Sequence, residues 1–110
     1  MNRSTGMLML SLVVGCTSAA PSAPPAVQFL VQSPFCGPNA YQFQFSIDSV
    51  VVGRDTLRDR ESSARFTTSV GPHQLSALVS GGVFAGFKRD TTVTLPADTV
   101  FTDIVDIYCS

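Results

Sequence analysis

The only histidine of the chain, His73, is the first residue to consider for catalysis. A serine or cysteine nucleophile needs a neighbouring base, and histidine fills this role near neutral pH. Serines are scattered along the sequence, but a catalytic triad is defined by geometry and not by spacing. His73 follows Gly71 and Pro72 at the start of the apolar stretch HQLSALVS. We therefore expect a structural histidine at the beginning of a strand, and no catalytic residues.

Asp103 and Asp106 are the second group that could do chemistry, as an acid–base pair or as calcium ligands. Side chains three residues apart on a strand point to opposite faces of the sheet. We therefore expect two separate, solvated carboxylates. Phe101 and Val105 compete with Asp103 for the inward position, so the phase of this strand stays open.

The segment GRDTLRDRE, residues 53–61, is the one dense cluster of charge. Its three arginines alternate with acidic residues, and the local charges cancel. A solvated loop is expected, because surface ion pairs of this kind contribute little to stability. Binding residues concentrate on loops held by a rigid scaffold. The candidate partner-binding residues are therefore Arg54, Arg58 and Arg60.

Carbohydrate binding would require an exposed aromatic side chain. The chain has no tryptophan, and its two tyrosines are Tyr41 and Tyr108. Tyr41 falls in the inward phase of the alternating stretch YQFQFSID, which leaves Tyr108 as the better candidate. Seven basic and eight acidic residues give a net charge of −1, so nothing favours binding to nucleic acid.

These residues must be positioned by strands, because the dominant period of the sequence is two. In YQFQFSID the apolar residues alternate with polar ones, which is typical of a half-buried strand. HQLSALVS alternates in the same way and directs Leu75, Ala77 and Val79 inward. Further strands are predicted over AVQFLVQ, SVVV, SSARFTTSV, VFAGFKR, TTVTL and TVFTDIVDIYC.

Seven or eight short strands separated by turn residues predict an all-β fold. We expect one small antiparallel β-sandwich of about seven strands, either immunoglobulin-like or prealbumin-like. A true immunoglobulin domain is disfavoured, because there is no tryptophan and the cysteines lie near the chain ends.

The first sixteen residues, MNRSTGMLMLSLVVGC, combine one positive charge with a short apolar run and small residues. This pattern is typical of an export signal and is too short to span a membrane as a helix. LVVGC, ending at Cys16, resembles the lipobox of bacterial lipoproteins. The resemblance implies cleavage between Gly15 and Cys16, with lipid attached to Cys16.

The chain is thus expected to divide into a signal peptide (1–15), a lipidated cysteine with a flexible tether (16–26) and a β-sandwich domain (27–110). The tether is rich in proline, alanine and serine and could hold the domain about 30 Å from a membrane. In this family, an aspartate after the cysteine retains some proteins at the inner membrane. Thr17 stands there instead, so the resemblance favours a lipid anchor at the outer membrane of a bacterial envelope.

Lipidation of Cys16 would leave Cys36 and Cys109 as a pair in an oxidising compartment, where disulfides form. The alternative is a metal site or a catalytic thiol. A metal site needs three or four ligands, and one histidine with two distant thiols falls short. We expect a structural disulfide between Cys36 and Cys109, and no metal or other cofactor.

SVGPHQLSALVSGG resembles a hairpin of small bacterial β-sandwich domains of the PEGA and carboxypeptidase-regulatory-like kind, and IDSVVVGRDTL is similar to the hairpin before it. The resemblance implies an accessory or interaction role. We expect an envelope lipoprotein that carries a protein-interaction module and has an envelope protein as its partner. A carbohydrate-binding or small-ligand-binding lipoprotein, or a small hydrolase, is the alternative.

Overall fold

The computed structural model describes residues 22–82 and 84–109, so the leader, Cys16 and the first part of the tether lie outside the described residues. Seven strands make up the fold, and no helix occurs in this described part. The strands are β1 (Ala26–Gln32), β2 (Tyr41–Ile47), β3 (Val50–Leu57), β4 (Phe66–Thr67), β5 (Gly71–Gly81), β6 (Lys88–Leu95) and β7 (Val100–Asp106).

The strands form two sheets, ordered β4-β1-β7 in the smaller sheet and β3-β2-β5-β6 in the larger one. All neighbouring strands are antiparallel except β1 and β7, which run parallel. The all-β sandwich of seven strands is therefore confirmed. The second and third strands are neighbours in one sheet, whereas an immunoglobulin domain places them in different sheets. The strand order therefore differs from that of an immunoglobulin domain.

The core lies between the two sheets and follows the predicted alternation. Inward residues of β2 and β5 are buried, while the residues between them are exposed or half-buried. A fully buried aliphatic or aromatic side chain contributes about 1.5–3 kcal/mol, so these strands supply much of the stability. The buried apolar side chains of these strands and β1 are Val27, Phe29, Val31, Tyr41, Phe43, Phe45, Ile47, Leu75, Ala77 and Val79.

Stacked phenylalanines join the two sheets. The rings of Phe29 and Phe45 stack across the core with their centroids 4.4 Å apart, and Phe43 stacks on Phe45 at 5.4 Å. Phe66 closes one side of this stack, 6.0 Å from Phe45. A Cβ at Gly53 would lie 2.7 Å from the Phe66 ring. The glycine therefore allows β3 and β4 to approach closely along this side of the sandwich.

An irregular segment after β3 takes the place of a strand along β1. Val31 donates its N–H to the carbonyl of Glu61 (3.0 Å) and accepts from the N–H of Arg60 (2.7 Å). The N–H of Ser63 donates to the Phe29 carbonyl, and its hydroxyl accepts from the Phe29 N–H at 2.9 Å. The edge of β1 is thus satisfied without a regular ladder.

Three strand boundaries differ from the prediction. SVVV and the first half of the charged segment form the single strand β3. The strand predicted over SSARFTTSV is reduced to β4, because the Ser63 hydroxyl replaces part of the backbone ladder. The strands predicted over VFAGFKR and TTVTL are one strand, β6, which begins at Lys88 after a turn.

The strand directions define two ends of the sandwich. At the tether end, β1, β5 and β7 begin, and Ala23 exchanges hydrogen bonds of 2.6 and 2.9 Å with Asp98 in the turn before β7. At the disulfide end, β1 and β7 finish, about 20 Å away along seven residues of strand. The segment that leads out of the tether is therefore attached to the opposite end from the cysteines.

The predicted disulfide between Cys36 and Cys109 is present, with the two Cα atoms 5.1 Å apart. It follows directly after the parallel pair of β1 and β7. The bridge spans 73 positions of sequence. It therefore constrains nearly the whole folded part of the chain.

Removing the bridge with the double substitution Cys36→Ser and Cys109→Ser should lower the free energy of unfolding by about 4 kcal/mol, since the long loop gains entropy when unfolded. Urea denaturation of the wild type, with and without reductant, provides the comparison. The reduced wild type should match the double variant. Equal midpoints for the oxidised and reduced wild type would contradict this prediction.

Candidate functional site

His73, Asp48 and Ser69 meet at the tether end in an arrangement that resembles a catalytic triad. Nδ1 of His73 lies 2.6 Å from Asp48 Oδ2, and Nε2 lies 3.3 Å from Ser69 Oγ. Asp48 and Ser49 form the turn between β2 and β3, with φ values of 52° and 69°. Two-residue hairpin turns favour residues such as aspartate that tolerate positive φ. The turn therefore brings the carboxylate to the histidine.

A further contact of His73 argues against a catalytic base. Nε2 lies 2.7 Å from the backbone carbonyl oxygen of Ser69, which can only accept, so Nε2 carries a proton. Nδ1 lies 2.6 Å from the Asp48 carboxylate, so the protonated ring can donate from both nitrogens. A general base needs a free lone pair directed at its serine. The geometry instead makes His73 a link between the β2–β3 turn and the start of β5.

The electrostatics of this link favour the charged forms of both partners. The carboxylate of Asp48 raises the pKa of His73, and the Ser69 carbonyl adds to the effect. The backbone N–H of Gln74, which donates to Asp48 Oδ1 at 2.9 Å, and the ring of His73 lower the pKa of Asp48. The link is therefore strongest when the histidine is protonated and the aspartate is ionised.

The stabilising effect of His73 should depend on pH. Because its pKa is raised in the folded protein, the contribution is complete below about pH 6.5 and is lost as the pH rises through the folded pKa. The substitution His73→Gln should therefore lower the melting temperature more at about pH 5.5 than at about pH 8.5. Thermal denaturation of both proteins across this range tests the prediction. An equal difference at every pH would contradict it.

The solvated position expected for Asp103 is wrong. Its side chain is 2% exposed and faces the core in phase with Val105, whereas Asp106 is half-buried. The expectation that the two carboxylates occupy opposite faces is confirmed. Arg89 on the facing strand β6 explains the inward position, because its Nε lies 3.4 Å from Asp103 Oδ1 and compensates the charge.

Asp103 forms a cross-sheet ion pair and not an acid–base pair. Burial raises the pKa of its carboxyl, and the nearby Arg89 and the Thr91 hydroxyl oppose this effect. Thr91 Oγ1 lies 3.4 Å from Oδ1, whereas Oδ2 has no hydrogen-bond partner among the described residues. The arrangement holds one carboxylate near one guanidinium.

The substitution Asp103→Asn should change how stability depends on pH. Because burial raises the pKa of Asp103, the folded protein loses stability as the pH rises from about 3.9 through the folded pKa. Asparagine has no such cost of ionisation. The variant should therefore gain stability relative to the wild type between about pH 3.5 and pH 7, measured by chemical denaturation. A constant difference would show that Asp103 does not ionise in this range.

The three candidate partner-binding arginines do not form one surface. Arg54 lies within β3, where its Nη2 donates to Gln44 Oε1 at 3.2 Å on the outer face of the larger sheet. Arg58 and Arg60 follow β3 at the disulfide end. The predicted loop over residues 53–61 is therefore a loop only in its second half.

The turn that carries Arg58 and Arg60 is attached to the neighbouring strands. The N–H of Arg58 donates to Glu61 Oε1, and Asp59 Oδ1 accepts from the N–H of Ser33, both at 2.8 Å. Arg60 has a φ of 69°, and its side chain is 88% exposed. The backbone of the turn is thus fixed, while the Arg60 guanidinium is largely exposed and its Nε lies 3.7 Å from Asp59 Oδ2.

Two aromatic side chains are exposed beside the disulfide. Phe35 is 80% and Tyr108 81% exposed, and each directly precedes a cysteine of the bridge. Tyr41 is buried, as expected from its phase. Phe35 escapes prediction because it lies outside any alternating stretch. Its place in a turn-rich segment, next to Pro34, is the signal that could have identified it.

A shallow depression of about 400 Å³ lies at the same end. Its lining combines an amide, a carboxylate and a guanidinium with one apolar ring. These groups belong to Gln32, Asp59, Arg60 and Pro34. Together with the exposed Phe35, Tyr108 and Arg58, this surface is named the tip.

The described part of the chain contains no cluster of three side chains suited to binding a metal ion. Within residues 22–82 and 84–109, no helix is long and apolar enough to cross a membrane.

No protein-family model matches the chain, and no curated protein is similar to it.

Proposed function

We propose that the protein is a bacterial envelope lipoprotein whose β-sandwich presents the tip to a partner protein. In this proposal, residues 1–15 are removed, Cys16 carries the lipid, and the tether connects the anchor to the tether end. The domain is an accessory or interaction module, and the proposal gives His73 no catalytic role. The outer membrane is the proposed location, following the lipobox and Thr17.

The position of the tip relative to the tether carries this proposal. β1 and β7 both run from the tether end to the disulfide end, in register over seven residues. An anchor at Cys16 would therefore direct Phe35, Tyr108 and Arg60 away from the membrane. The tip would then be accessible to a partner that approaches from the side away from the membrane.

The residue types of the tip are those that protein interfaces favour. Tyrosine, phenylalanine and arginine are enriched in interfaces, and tyrosine and arginine among the residues that dominate binding energy. Phe35 and Tyr108 would gain burial only by contact with another molecule. The disulfide and the hydrogen bonds of Asp59 hold the backbone in place, which reduces the entropy lost on binding. The disulfide also favours an oxidising compartment outside the cytoplasm.

Carbohydrate or small-ligand binding is the second candidate function, favoured by the exposed ring of Tyr108 and the adjacent depression. A sugar would stack on the ring and bond to the amide of Gln32 and the carboxylate of Asp59. The depression is shallow, however, and small-ligand sites usually enclose most of the ligand. The protein partner is therefore the leading proposal.

The anchor and the tip can be tested in the same cells. Cells supplied with a labelled fatty acid should label the wild type, and the Cys16→Ser variant should lose both the label and membrane attachment. A photo-crosslinking side chain in place of Phe35 should then capture a partner, with Val70 as the control position. Val70 is an exposed apolar residue at the tether end.

Capture of one protein from position 35 alone, reduced by Arg60→Ala, supports the proposal. Label that persists in Cys16→Ser would contradict the anchor. Equal capture from positions 35 and 70 would contradict the tip as the contact surface. Capture of glycan and no protein would favour the second candidate function.

A further inference from the structure

The four sheet edges of the sandwich differ in how they are protected against pairing with another strand. β4 has only two residues, and the pairing of β3 is interrupted by a register shift. β6 begins with the charged residues Lys88, Arg89 and Asp90. Short strands, irregular pairing and charge are the usual protections of an edge. β7, in contrast, is seven residues long and pairs with β1 without interruption.

The hydrogen bonds of β7 show which backbone groups face away from β1. Ala26 donates to the carbonyl of Thr99, and Ile107 donates to the carbonyl of Gln32. In a parallel ladder, alternate residues of a strand bond to the same neighbour. The odd-numbered residues of β7 therefore face β1. The N–H and C=O groups on the other side, where no strand of residues 22–82 or 84–109 pairs with β7, belong to Val100, Thr102, Ile104 and Asp106.

The side chains of the same residues include an exposed apolar pair. Val100 is 45% and Ile104 39% exposed, on the outer face of the smaller sheet. A strand bound beside β7 could place its own apolar residues against this pair, since neighbouring residues on one face of a sheet are in contact. The edge thus offers both backbone bonds and an apolar contact.

The larger sheet leaves room for such a strand, because it has four strands and the smaller sheet has three. Three inward residues of the edge strand β6 are only half-buried. They are Arg89, Thr91 and Val93. The residues opposite them on β5 are buried. Asp103 on β7 already reaches Arg89 and Thr91. A fourth strand next to β7 would cover the part of β6 that β7 leaves exposed.

We propose that β7 binds an extended segment of another polypeptide as the fourth strand of the smaller sheet. This inference deepens the proposed interaction role by naming the mode of binding, which is strand addition. The segment carries apolar residues on one face, against Val100 and Ile104, and a carboxylate on the other face, near Arg89. A strand along β7 would also extend towards Tyr108 at the tip.

The charges around the edge favour this partner over a second copy of the chain. Arg89 is 38% exposed, and the structure gives it one contact, through Nε, with Asp103. An acidic residue of the added strand could bind the rest of its guanidinium. Two copies of β7 paired about the centre of the strand would instead place Asp103 opposite Asp103, and like charges directly opposite one another destabilise a sheet.

The test uses the full chain purified from membranes in mild detergent and a phage-displayed library of linear peptides. Selected peptides should alternate apolar and acidic residues. In hydrogen-exchange measurements by NMR, the bound peptide should protect the amides of Val100, Thr102, Ile104 and Asp106. These amides should exchange faster than those of Phe101 and Asp103 in the free protein.

Two variants separate edge pairing from loss of folding. Thr102→Pro removes an amide that faces away from β1 and should weaken peptide binding about tenfold or more. Ile104→Lys should weaken it too, whereas the matched Val70→Lys should not. Ile104→Lys keeps the inference testable if the proline variant fails to fold.

Peptides that bind equally to Thr102→Pro and Ile104→Lys, or the absence of any enriched sequence, would overturn strand addition. Protection of the same amides in the free protein through self-association would overturn the choice of partner. If strand addition is wrong but the proposed function is right, photo-crosslinking from position 35 would still capture a partner, while the amides of β7 would show no protection.

Discussion

The parallel pairing of β1 with β7 is the contact on which the rest of the structure depends. It joins the first and last strands of the domain, so the entropy of closing a long loop opposes it. The disulfide between Cys36 and Cys109 lies at the end of this pair and offsets that cost by limiting the unfolded chain. Because β1 is the central strand of the smaller sheet, losing the pair would separate β7 and the β4 segment from a common partner.

The unequal sizes of the two sheets explain several features that otherwise look unrelated. With three strands facing four, β6 has an inner face that is only partly covered. The polar residues Arg89 and Thr91 occupy this face, where β5 has leucine, alanine and valine. Asp103 can face inward on β7 because Arg89 is within reach. The ion pair and the open edge of β7 therefore have one structural cause.

The sequence predicts the parts of the fold that are half-buried and regular. β2 and β5 alternate strictly because one face packs on the core and the other faces solvent, and Tyr41 to Ile47 follow this rule without exception. The disulfide also follows from residue counts, once Cys16 is taken as lipidated. The segment from Arg58 to Ala64 could not be predicted, because side-chain and backbone bonds to β1 replace a ladder there.

The candidate sites show the same limit. The inward position of Asp103 depends on Arg89, which lies on another strand in the other sheet. A local sequence pattern cannot predict such a partner. The Asp48–His73 link depends on a turn that brings residues of two hairpins together. Arg58, Arg60 and Phe35 meet at one end only because β1 and β3 finish there. The sequence pattern indicates which residue types could form a site, but it does not show which of them come into contact in the fold.

The two ends of the sandwich hold their backbone in different ways. At the tether end, buried polar contacts such as that of His73 hold turns together. At the disulfide end, the bridge and the hydrogen bond of Asp59 hold the backbone, while the side chains of Phe35 and Tyr108 are exposed to solvent. A large exposed aromatic side chain buries little apolar area on folding, so it contributes little to stability. Under the proposed function, substitutions of Phe35 and Tyr108 alter binding while the fold remains intact, because neither side chain packs in the core.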